Sequence, residues 1–119
     1  MNHYQKHILL ILLTVLGLSA PVFSQKNCPA NLKKAEDNFE DGLLESIPGL
    51  LEKCIQTGFS KEEKIRAYKL LINVNLFENK KAEAEKYLLE LLKLDPEYQI
   101  DTLIDNAEII NMYQQYTTI

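Results

Sequence analysis

Cys28 and Cys54 are the residues of this 119-residue chain with the most definite chemistry. Their spacing is far wider than a C-x-x-C redox motif, so they suit a structural bond better than thiol exchange. Two cysteines alone make a poor metal cage. Both histidines, His3 and His7, lie in an N-terminal segment with the layout of a removable leader. Without them no Ser-His-Asp, Cys-His or His-containing zinc arrangement can be assembled. After residue 24 the glycines Gly42, Gly49 and Gly58 stand singly, so no phosphate-cradling loop is present. Asp37-Asn38-Phe39-Glu40-Asp41-Gly42 carries the sixth-position glycine of a calcium loop. Phe39 nevertheless occupies the third ligand position and Pro48 the twelfth, where a bidentate Glu is needed. Acid pairs for glycoside cleavage would require a cleft and an aromatic platform, and the chain has no Trp. The expectation is a protein that is not an enzyme and carries no cofactor or metal.

The leader is read from Lys6, an uncharged run over 8–16, and Gly17-Leu18-Ser19-Ala20 followed by Pro21-Val22-Phe23-Ser24. This is the order of a secretory signal peptide, and the apolar run is too short for a spanning helix of about 20 residues. Cleavage is expected after Ser24, with Ala20 as the alternative. Gln25, Lys26 and Asn27 before Cys28 are not the small residues of a lipidation site. Residues 25–119 then form one small domain with twelve basic and seventeen acidic residues, a net charge of −5. Such a surface disfavours nucleic acid and anionic membrane, and no membrane insertion is expected once the leader is removed.

These residues must be positioned by helices. Over 61–77, Ile65, Tyr68, Leu71, Ile72 and Leu76 recur at three- and four-residue steps, and Ser60 with Glu63 makes a capping box. Ala84, Leu88, Leu91 and Leu92 form the stripe of a second helix, which Pro96 ends. A polar turn at 78–81 joins the two, giving a hairpin over 60–96. It resembles a tetratricopeptide (TPR) repeat, a 34-residue helix-turn-helix unit. Pro96 stands at the closing proline, Tyr68 at the first-helix aromatic, Ala84 at the small second-helix position and Leu88 at the bulky one after it. Ile72 and Leu91 depart from the family, which usually has small residues there.

A degenerate first hairpin is read over 28–59. Its first helix spans about 29–41, with Leu32, Ala35 and Phe39 inward and Gly42 at the turn. Its second, about 43–57, offers Leu43, Leu44, Ile47, Leu50, Leu51, Cys54 and Ile55, and Pro48-Gly49 should kink it or delay its start by a turn. Gly58 closes it. Cys28 lies 14 residues before Gly42 and Cys54 lies 12 after, so antiparallel helices bring them together at the open end. In an oxidising compartment this predicts a Cys28–Cys54 disulfide contributing ~3 kcal/mol through loop closure.

A fifth helix is expected over about 102–116, with Leu103, Ala107 and Ile110 toward the preceding hairpin. Ile109, Met112, Tyr113, Tyr116 and Ile119 then form a second apolar stripe, which a terminal repeat would not normally expose. Further chain, a partner, or fraying after Tyr113 would each account for it. Taken together these features resemble the short helical N-terminal modules of Gram-negative envelope proteins. The resemblance implies a periplasmic location, either free or associated with the outer membrane.

The expected architecture is all-α, a short TPR-like α-solenoid of about five helices after a signal peptide: 28–59, 60–96 and 97–119. The expected role is a protein–protein interaction or assembly module, with a partner protein or a downstream envelope domain as its contact. Groove candidates are Lys64, Arg66, Lys69, Asn73 and Asn75, with Lys33 and Lys34 from the first helix; Tyr113 and Tyr116 of the last helix are partner-binding candidates on its outward stripe. The alternative is a structural spacer ahead of an outer-membrane β-barrel or other envelope domain; oligomeric state is left open.

Overall fold

Why each helix begins and ends where it does can be traced to a few side chains. The structure, a computed structural model, describes residues 27–118. The leader reading over 1–24 and the Ile119 end of the apolar stripe lie outside them. Five helices follow in order: α1 (Cys28–Glu40), α2 (Ile47–Gln56), α3 (Lys61–Phe77), α4 (Lys81–Leu94) and α5 (Ala107–Thr117). No strand occurs among the described residues, so the fold is all-α.

In α1 the Asn27 side chain accepts a hydrogen bond from the Ala30 N–H, while Pro29 occupies the first turn, where its missing N–H costs nothing. The helix ends in a Schellman turn. Gly42 adopts φ 75°, its N–H donates to the Phe39 carbonyl, and the Leu43 N–H reaches back to that of Asn38 at 2.7 Å. The second hairpin turns identically around Asn79 at φ 59°, with Asn79 N–H donating to Leu76 and Lys80 N–H to Asn75. Asparagine manages there what glycine manages at Gly42, because its short polar side chain tolerates the left-handed region. The Ser60–Glu63 capping box is present in full at the start of α3.

Pro48 delays α2, which begins at Ile47 rather than Leu43. Leu43 was expected to point inward. It belongs instead to the turn and is 59% exposed, because the Schellman geometry carries it out of the helical register.

Two cores form, and α3 serves both. Ala67, Leu70, Leu71 and Val74 pack with Leu32, Ala35, Ile47 and Leu51 of the first hairpin. Ile72, flanked by Ile65, Tyr68 and Leu76, packs with Ala84, Leu88 and Leu91 of α4 and with Ile109 and Met112 of α5. Helix α3 is therefore apolar on two sides, which explains why its stripe is broad. Cys28 and Cys54 are bonded and almost fully buried, with Cα atoms 5.6 Å apart. Gly58 lies against them: a Cβ there would stand 2.5 Å from the Cys28 sulfur.

Helix α5 departs from expectation in start and in face. It begins at Ala107, because side chains before it capture the backbone: Asp101 accepts from the Leu103 N–H, Asp105 from the Asp101 N–H, and Asn106 caps the helix through the Ile109 N–H. Leu103, assigned to the packing stripe, is 94% exposed, and Ile104 beside it 80%. Ile109 and Met112, assigned to the outward stripe, are the residues that pack on α3 and α4. Starting the helix five residues later changes which face meets the hairpin. Among the described residues no helix is long and apolar enough to cross a membrane.

Candidate functional site

Three segments distant in sequence meet along one face. Along α3, at four- and three-residue steps, lie the exposed Arg66, the buried Leu70 and the half-buried Asn73, with Lys69 alongside. From α1 come Glu36 and Phe39, and from the turn before α5 come Ile104, Asp105 and Asn106. The result is an open groove with an apolar floor at Phe39 and Leu70 and an apolar lip at Ile104.

Its polar groups are mostly engaged with one another. Arg66 meets the Glu36 carboxylate at 2.6 Å. The ammonium of Lys69 lies 2.6 Å from Asp105, whose side chain is only 4% exposed. That carboxylate also accepts from the Asp101 backbone, so the charge is held from two directions. Asn106 donates to the Asn73 side chain at 2.8 Å, and Asn73 donates to the Lys69 carbonyl. These bonds fasten the 101–106 turn to α3 and leave Leu103 and Ile104 projecting from a rigid base.

Electrostatics around Lys69 follow from this packing. Burial works to lower its pKa, but the hydrogen bond to Asp105, with the nearby Tyr98 and the Asp105 charge, raises it overall. Burial pushes the Tyr98 phenol up as well. Among the described residues no group of three His, Cys, Asp or Glu side chains is placed to hold a metal ion.

Of the residues singled out from the sequence, Arg66, Lys69 and Asn73 are brought together in the groove. Lys64 does not line it. Asn75 turns its amide to the Leu71 carbonyl, and Lys33 pairs with Asp37 along α1. Tyr113 and Tyr116 share a different shallow cleft with Leu92, Pro96 and Tyr98. Tyr113 is half-buried there, donating its hydroxyl to the Tyr98 carbonyl at 2.6 Å with the rings edge to face. Sequence reasoning missed Glu36, Ile104, Asp105 and Asn106. The Asp101/Asp105/Asn106 spacing, which suits side-chain capture of backbone, was the available signal.

Comparison with protein-family models, curated proteins and solved structures gave no match.

Proposed function

We propose that this chain is an exported, non-catalytic protein-interaction module of the cell envelope, built from TPR-like helical hairpins, that docks a partner along the α1–α3 face. The observation that carries the reading is the groove itself. Arg66, Lys69 and Asn73 meet an apolar floor and a braced apolar lip there, and large exposed side chains on a rigid support are what an interface needs and a bare spacer does not. The buried disulfide supports an oxidising, exported setting. Signal cleavage and a periplasmic location complete the proposal on the strength of the leader pattern.

The test is capture from the native host with the wild-type chain, Ile104→Asp and Arg66→Glu. Both substitutions fall on exposed side chains, whereas Lys69→Glu would face the buried Asp105 and disturb the fold. Loss of a specific co-purifying envelope protein, with unchanged circular dichroism and melting, supports docking. Indifference of every captured protein to both substitutions would turn the assignment toward a spacer.

A further inference from the structure

Aligned at an offset of 37 residues, which sets Gly42 on Asn79 and the end of α1 on the end of α3, the two hairpins differ at two telling positions. At the residue after the turn the first hairpin has Leu43 and the second Lys80. At the last residue of the preceding helix the positions reverse, with Glu40 in the first hairpin and Phe77 in the second. Each hairpin thus carries a large apolar side chain where its counterpart carries a charge. Local folding does not need either one, since Leu43 is 59% and Phe77 75% exposed.

Both side chains line the same cleft. It lies between the first turn and the end of α3, has a volume of about 680 Å³, and includes Leu44 and Ser46. The turn is braced there by a 2.8 Å hydrogen bond from the Asn38 amide to the Ser46 hydroxyl. The charged residues lining the cleft are Glu45 and Glu78, with no Lys or Arg. Glu78 is paired with Lys80 at 2.9 Å. Glu45, and Asp41 beside Gly42, make no ion pair among the described residues.

From this geometry we infer that the Leu43–Phe77 cleft takes an amphipathic helix with a basic polar face. Its apolar side chains enter between Leu43, Leu44 and Phe77, and its Lys or Arg residues reach Asp41 and Glu45. The inference rests on the reading of the chain as a docking module and goes beyond it, since this cleft shares no lining residue with the Arg66–Ile104 groove. Charge decides among occupants. A second copy would set the same acidic rim against itself in a chain of net charge −4, and like charges brought together at an interface oppose association. A basic helix gains both terms, the apolar insertion and the electrostatic complement.

The test titrates the disulfide-bonded protein against two fluorescent synthetic helices, one of Leu and Lys and one of Leu and Glu with the same pattern, reading anisotropy. The Lys helix is expected to bind about tenfold tighter than the Glu helix, and raising salt should erode the difference. Leu43→Ser with Phe77→Ser is expected to weaken Lys-helix binding by about tenfold, a loss of about 1.4 kcal/mol. Glu45→Lys should narrow the preference, and Tyr116→Ala, in the other cleft, should leave it unchanged. Equal binding of both helices, or full affinity in the Leu43/Phe77 double variant, overturns the inference. Such a failure alongside Ile104-dependent capture from the host would refute the partner chemistry and leave the docking reading standing. The exposed positions make unfolding of the variants unexpected, and far-UV circular dichroism checks it.

Discussion

The two hairpins use one turn and two different means of closing the far end. In the first, α1 and α2 have 13 and 10 residues, and their open end is held by the Cys28–Cys54 bond. In the second, α3 and α4 have 17 and 14 residues and contain no cysteine; apolar contact alone holds them. Shorter helices bury less apolar surface, so the covalent link supplies what packing cannot. The lesson is that a helical hairpin can shrink below its self-sufficient length if something else limits the unfolded chain.

The largest effect expected from breaking that contrast is removal of the disulfide. Replacing both cysteines by Ala should lower stability by about 3 kcal/mol in a urea titration. Hydrogen exchange should show the loss of protection concentrated in α1 and α2. Equal loss throughout α4 would mean that α3, through its part in both cores, welds the hairpins into one cooperative unit.

Next comes Gly58→Ala, expected to cost about 2 kcal/mol, because the new Cβ would crowd the Cys28 sulfur and the φ of 131° is hostile to side chains. In the Cys28→Ala, Cys54→Ala background the steric part should vanish and only the backbone part remain. A double-mutant cycle showing no coupling would contradict the close approach. The turns offer a smaller, sharper comparison. Gly42→Ala should cost about 1 kcal/mol and Asn79→Gly should be neutral or slightly stabilising, since both positions are left-handed.

The smallest effect concerns pH and belongs to the second half of the molecule. Lys69 and Tyr98 both have pKa values raised on folding, so the folded form keeps its protons after the unfolded form has begun to lose them. Their contribution is complete below the unfolded values and fades as pH climbs above about 10. Protection of α5 amides should decline there before that of α1 in the oxidised protein, and Lys69→Met should flatten the difference.

How much of this was legible in the sequence depended on whether the signal was local. Ser60 and Glu63 announce α3 because both halves of the capping box lie in one turn. The disulfide was readable because Gly42 fixes a pivot and the cysteines sit nearly equidistant from it. Arg66, Lys69 and Asn73 could be placed on one helical face. Glu36 and Asp105, which neutralise the two cations, could not be found that way, since they arrive from 30 and 36 residues distant. Helix α5 was misplaced because the apolar spacing of Leu103 and Ala107 imitates a helix. The competing hydrogen bonds of Asp101, Asp105 and Asn106 hold the backbone in a turn instead, and which stripe is buried follows from that start. Leu43 was misassigned by hydrophobicity alone, when comparison with Lys80 already marked its position as outward.

Both sulfurs of the disulfide lie on the same side of the Phe59–Ser60 junction, so no covalent crosslink spans the two hairpins. A protease cutting once at that junction would leave two fragments associated without a covalent link, through the apolar flank of α3 and the Arg66–Glu36 pair. Such a nicked molecule would run as a pair of bands on a denaturing gel even without reductant, yet elute as one particle under native conditions. Recombining the separately made pieces would then measure the strength of the inter-hairpin seam as a dissociation constant.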